Sequence, residues 1–250
     1  VGAALLFWVA SLIGPREHIP VRDIVKLAGA ALLGIVFNQG LYNIGLSITS
    51  PVNASIVTTS MPIFAMVLSF FILKEPITWK KALGVAIGCG GALILILSSA
   101  HAGSAKVGNI RGDLMCFGAQ FSFALYLALY NPIIRKYNVF TVNKWMFTWA
   151  SLFVLPFTSK HVSQLPWTTF TAATWLEVGY VVVFGTFVSY LLSVVAQRVL
   201  RPTVVSVYNY VQPVVSTVVS LFLGIASLGW MQGVAVALVF VGVRLVARKK

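Results

Sequence analysis

The chain has 250 residues, of which 59% are hydrophobic and 9% charged, and its 18 Lys and Arg outnumber 5 Asp and Glu. Soluble domains carry about a quarter charged residues, so this composition excludes one. The net charge of +13 does not signal nucleic-acid binding, because the basic residues occupy short connections between apolar runs and form no polar face.

Apolar runs fall at 1–13, 27–47, 51–73, 79–98, 112–133, 142–158, 174–197, 203–224 and 228–246. All but the first are long enough to read as membrane helices, which need about 20 residues. The first run is short and lacks the charged start of a signal peptide. The longest polar connection, Ser98 to Arg111, is rich in Gly, Ser and Ala and reads as a linker. Pro166 and Trp167 in the loop 158–173 suit the membrane interface. The fold class is therefore an all-α polytopic membrane protein.

Residues 51–93 laid on 202–244 at an offset of 151 are identical at ten of 43 positions, including Pro51/Pro202, Ser55/Ser206, Pro62/Pro213 and Gly91/Gly242. The charges do not repeat. Lys74, Lys80 and Lys81 correspond to Ile225, Met231 and Gln232, while Ser47 and Ser50 correspond to Arg198 and Arg201. Lys and Arg mark the cytoplasmic side, so the two copies are predicted to be inverted, the architecture of secondary transporters. Placing the loop 14–26 inside puts fifteen of the 18 Lys and Arg in the cytoplasm and leaves three outside, Lys106, Arg111 and Lys160. The repeat also maps Val1 onto Leu152, midway along a run. That predicts a 5+5 inverted-repeat, ten-helix transporter, here lacking the first helix and half of the second. Its parts would be a first repeat at 1–99, an external linker at 100–111 and a second repeat at 112–250.

Pro62 and Pro213 stand at the midpoints of matched spans. A mid-helix proline deletes the bond to the carbonyl four residues back, here Thr58 and Asn209, and a freed carbonyl in hydrocarbon must face protein, water or ligand. The two prolines are read as gating kinks. Polar stripes share this level: Asn38/Gln39 and Tyr42/Asn43; Gln120 with Ser122, Tyr126 and Tyr130; Thr186, Ser189/Tyr190, Ser193 and Gln197; and Tyr208/Asn209, Gln212, Ser216 and Ser220. Candidate contacts in a substrate cavity are Asn38, Tyr42, Thr58, Gln120, Tyr126, Ser189, Tyr190, Asn209 and Gln212. Interhelical hydrogen bonding, worth about 0.6 kcal/mol per contact, is the competing explanation for each. Gly84, Gly88 and Gly91 form a face for close helix approach, within the chain or in a homodimer.

All five acids lie at or near helix ends, His18, His101 and His161 lie in loops, and Cys89 and Cys116 have no metal-ligand spacing. No catalytic group, cofactor or metal is expected. A membrane-embedded enzyme would need a buried acid pair, a Ser–His pair or a metal cluster. A non-transporting receptor or assembly subunit is the other alternative. The expected partners are the lipid bilayer and a neutral or zwitterionic small molecule.

The run S-P-V-N-A-S-I-V-T-T-S-M-P-I-F from Ser50 to Phe64, with F-F-I-L-K-E-P-I-T-W-K-K-A-L-G from Phe70 to Gly84, resembles the signature of EamA-type proteins of the drug/metabolite transporter superfamily. R-P-T-V-V-S-V-Y-N-Y-V-Q-P-V-V-S from Arg201 to Ser216 is similar to that family's ninth helix, and Gly112-Asp113 to the start of its sixth. The resemblance implies a carrier in the bacterial inner membrane with both termini cytoplasmic. It would move amino acids, metabolites or drugs, often outward, through a central cavity. One departure is that Glu75 has no acidic counterpart, Ala226 standing in its place.

Overall fold

Inside a bilayer every backbone N–H and C=O must be bonded within the protein, and each apolar run accordingly becomes a helix. The computed structural model describes residues 1–15, 17–100, 109–222 and 230–247. In chain order the helices are α1 (Gly2–Ala10), α2 (Val21–Ala31), a π-helix (Leu32–Phe37), α3 (Asn38–Ile48), α4 (Pro51–Thr58), α5 (Met61–Leu73), α6 (Trp79–Ala100) and α7 (Ile110–Leu129). They continue with α8 (Asn131–Lys136), α9 (Val139–Ser163), a 3-10 turn (Trp167–Thr169), α10 (Ala172–Tyr180) and a second π-helix (Val181–Val188). The last are α11 (Ser189–Val199), α12 (Pro202–Val207), a 3-10 turn (Tyr208–Tyr210), α13 (Val211–Phe222) and α14 (Trp230–Ala247). Among the described residues four helical stretches, Val21–Ile48, Asn53–Leu73, Ile110–Leu129 and Ala172–Val199, are long and apolar enough to cross a membrane. Most of the linker, with Lys106, lies outside the described residues, as do Arg16, the segment holding Ala226, and the last three residues.

The helix expected to end near 158 runs on to Ser163, through Pro156. Hydropathy marks where side chains leave the apolar layer, and a helix continues into polar sequence as long as its backbone bonds hold. The Thr158 and Ser163 hydroxyls bond back to Val154 and Lys160 carbonyls there.

The chain divides into two compact units. The first comprises Val1–Val36 and Tyr130–Val199. Its core is built on Phe7, fully buried, with Phe147 and Phe187 at ring-centroid distances of 5.1 and 4.5 Å. The polar connection before α2 is clamped to the α8–α9 turn. Asp23 accepts hydrogen bonds from Lys136 Nζ at 2.7 Å and the Tyr137 hydroxyl at 2.6 Å, and Glu17 accepts from the Asn138 amide. The Asp23 carboxylate raises the Lys136 ammonium above its ordinary range.

The second unit comprises Phe37–Leu129 and Leu200–Lys250. Here α3 and α5 pack on α7, and α6 crosses α14. A Cβ added to Gly84 would lie 2.9 Å from the Gly242 carbonyl oxygen, and one added to Gly91 would lie 2.8 Å from that of Ala235. Because 84 + 151 = 235 and 91 + 151 = 242, each contact is the image of the other under the sequence repeat. Position increases along α6 as it decreases along α14, so the two copies of this helix run antiparallel. The inversion inferred from charge is thus a packing fact, and the glycine face is occupied within the chain.

A second match was not legible beforehand. Adding 151 to the π-helix 32–37 gives 183–188, inside the π-helix Val181–Val188. Both contain a glycine, Gly34 and its counterpart Gly185. In the second, Thr186 and Ser189 hydroxyls bond to the carbonyls five residues back, Val181 and Phe184, which is where a π turn places them.

Candidate functional site: two broken helices

Each proline-bearing span is two helices joined by a break. In the first copy α4 ends at Thr58 and α5 begins at Met61, with Pro62 in its first turn. Proline is tolerated there because the first-turn N–H groups have no partner anyway. The Thr59 and Ser60 amides turn back to Ile56 and Val57 carbonyls at 3.1 and 3.0 Å, while the Ser60 carbonyl starts the next helix by accepting from Ile63 and Phe64. Three consecutive hydroxyls, on Thr58, Thr59 and Ser60, bond to Ala54, Ile56 and Val57 carbonyls, a local alternative to the helical ladder. The triplet Thr-Thr-Ser ahead of Met-Pro is the sequence feature that could have marked this break. In the second copy the 3-10 turn Tyr208–Tyr210 separates α12 from α13, with Pro213 the third residue of α13.

The two breaks meet. The Tyr210 hydroxyl donates to the Thr59 carbonyl at 3.1 Å, and the Asn209 side-chain amide donates to Met61 Sδ. Thr59 and Tyr210 are separated by the repeat offset, 59 + 151 = 210. Tyr210 is 1% exposed. Its ring lies over Gly88, where an added Cβ would come within 2.6 Å of Cδ2.

Seven of the nine expected cavity residues belong to this unit: Asn38, Tyr42, Thr58, Gln120, Tyr126, Asn209 and Gln212. Asn38 donates to the Ala119 carbonyl at 3.0 Å, tying α3 to α7. The Tyr42 hydroxyl lies beside Thr58. Gln120 and Tyr126 are buried, Gln212 is exposed, and Asn209 is half-buried at the break. Phe64 of α5 meets Phe117 and Phe121 of α7 edge-on, at 4.7 and 5.5 Å. Ser189 and Tyr190 belong to the other unit, where the Ser189 hydroxyl bonds to Phe184 and the Tyr190 ring packs on Phe147. The side chains of Ser216 and Ser220 lie outside the described residues.

Sequence reasoning missed a polar knot at the opposite end of α4. Thr49 Oγ1 donates to Asp113 at 2.5 Å and accepts from the Asn109 amide, and Asn53 Nδ2 donates to the same carboxylate at 3.2 Å. Asp113 sits in the first turn of α7, where a negative charge is favoured by the helix dipole. Among the described residues no group of three His, Cys, Asp or Glu side chains could hold a metal.

Antiparallel copies, each with a membrane helix broken at the same position, define the inverted-repeat class of polytopic membrane proteins. A solved crystal structure has this fold, covering 98% of the chain and 84% of its own at a TM-score of 0.77 and 17% identity. The EamA-like transporter family matches residues 1–97 and 110–248, and the chain belongs to that family. An uncharacterized transporter of Archaeoglobus fulgidus is 25% identical over 99% of this chain and 86% of its own length. The uncharacterized transporter YyaM of Bacillus subtilis is 25% identical over 89% of this chain and 72% of its own. The S-adenosylmethionine uptake transporter of Rickettsia prowazekii is 23% identical over 76% of this chain and 60% of its own.

Proposed function

We propose that the chain is a secondary transporter of small organic solutes such as amino acids or metabolites, working by alternating access. We place it in the bacterial inner membrane with a cytoplasmic C-terminus, and take export as its direction. The observation that carries the reading is the meeting of two matched helix breaks in antiparallel copies. Such breaks put backbone and amide hydrogen-bonding groups at mid-membrane depth, where a solute can compete for them. Tyr42, Thr58, Gln120, Asn209 and Gln212 supply hydrogen-bonding groups, and Phe64, Phe117 and Phe121 an apolar wall. That combination suits neutral or zwitterionic solutes. The charge split supports the orientation.

Solute counterflow in proteoliposomes tests transport, and its absence with every solute of a broad amino-acid and metabolite panel would favour a receptor or assembly subunit. A second reading, uptake, draws on the Rickettsia relative, whose name states that direction. Accumulation in right-side-out rather than inside-out vesicles under an imposed proton gradient would select it over export.

A further inference from the structure

The two copies of the broken helix are not in the same state. On the side where α5 ends at Lys74 and α12 begins after Arg201, the two half-helices pack along each other. Among the described residues their images, α13 and α4, make no comparable packing. Burial agrees: Pro202, Thr203, Ser206 and Val207 of α12 are all buried, whereas Pro51 and Ser55, counterparts of Pro202 and Ser206, are exposed and half-exposed. Identical residues thus occupy a closed junction in one copy and an open one in the other. The closed junction is on the Lys- and Arg-rich side.

The bond between the breaks shares this asymmetry. Tyr210 and Thr59 are the same repeat position, so exchanging the copies would require Thr59 to reach the Tyr210 carbonyl. Its side chain is too short to span a tyrosine's reach, and its hydroxyl already bonds to Ile56. The state with α5 against α12 therefore holds a hydrogen bond that the exchanged state lacks. We propose that Tyr210 is a latch. Its hydroxyl, held on the Thr59 carbonyl, keeps the cytoplasmic junction of α5 and α12 shut and biases the protein toward the state open between α4 and α13. The latch rests on the alternating-access reading and adds to it a residue and a direction of bias.

The test uses the intact natural protein in nanodiscs, with Cys89 and Cys116 replaced by Ala and spin labels on cysteines placed at Ile56 of α4 and Val215 of α13. Pulsed electron–electron resonance reads the long-distance (open) and short-distance (exchanged) populations. A net hydrogen bond is worth about two- to tenfold in an equilibrium. Tyr210→Phe is expected to raise the ratio of short to long distances by that factor. Tyr208→Phe, at a tyrosine half-exposed beside it, should leave the ratio unchanged. If both populations are present but Tyr210→Phe leaves their ratio where it was, or moves it no more than Tyr208→Phe, the latch is wrong and alternating access stands. A lowered melting temperature with an unmoved ratio makes the bond merely structural, and overturns the latch too. A short-distance population missing from every protein while counterflow proceeds overturns latch and alternating access together.

Discussion

The crossing of α6 with α14 and the junction of the broken helices are built from the same repeat, yet they behave oppositely under its symmetry. At the crossing, Gly84 against Gly242 is mirrored by Gly91 against Ala235. At the junction, α5 against α12 has no mirrored partner packing among the described residues. Two contacts that are each other's images both survive an exchange of the two copies and cannot favour either arrangement. A contact without an image exists in only one arrangement and sets the balance between them. Under the proposed alternating access, the crossing is the fixed axis of this unit and the junction its moving part.

The crossing should be the less forgiving of the two. Gly242→Leu pushes a side chain into the Gly84 and Gly88 backbone, 2.6 Å from an added Cβ, and neither helix can yield without separating. The expected loss is about 3 kcal/mol or more, read as a collapse of the thermal transition in detergent. A melting point within a few degrees of wild type would mean that the crossing is loose and is no axis.

Adjacent glycines sharpen the same point. Gly91→Ala meets the Ala235 carbonyl and should destabilise by about 1–3 kcal/mol. Gly90→Ala meets nothing within 4 Å and should be neutral or stabilise by up to about 1 kcal/mol. Equal effects on thermal stability would remove the close approach from the account.

At the junction, function should suffer before stability does. Asn209→Ala or Gln212→Ala removes a hydrogen bond worth about 0.5–1.5 kcal/mol, so apparent solute affinity should fall several-fold, up to about tenfold. Measuring affinity and melting on the same purified variants separates the roles. Unchanged affinity with lowered melting would return both residues to helix packing.

The smallest effect concerns the end of α5. Lys74 has φ of 56° and the Glu75 amide bonds to the Ser69 carbonyl, a helix end that suits glycine. Lys74→Gly should stabilise by about 0.5–1 kcal/mol, visible as a small rise in melting temperature. A fall would mean that the ammonium itself holds the junction.

Spans, repeat and inversion were legible because hydropathy, identity and Lys/Arg placement each record which residues leave water and on which side. The breaks were half legible. Pro62 and Pro213 marked the spans, but single kinks were expected with Thr58 and Asn209 carbonyls freed, whereas the carbonyl in use is that of Thr59. Hydrogen-bond partners from another helix depend on tertiary approach, which periodicity does not carry. The matched π-helices show the same limit. A ladder that slips by one residue leaves hydropathy unchanged, and the paired glycines Gly34 and Gly185 do not by themselves mark it. Tyr126 read as a cavity residue from its spacing, yet it is 2% exposed and packs near Phe123, since a polar tip on a large ring serves a tight core equally well.

Alternating access itself is tested most directly by side-specific labelling of two single cysteines in a background without Cys89 and Cys116. One replaces Ile56 in α4 and the other Val205 in α12, and both are exposed to a membrane-impermeant maleimide from each face during solute counterflow. At rest, the Ile56 site should react from the outside and the Val205 site should be protected. During turnover the Val205 site should become reactive from the cytoplasm as the Ile56 site becomes shielded. Counterflow that proceeds while the Val205 site stays protected, or both sites reacting from one face, would contradict the account.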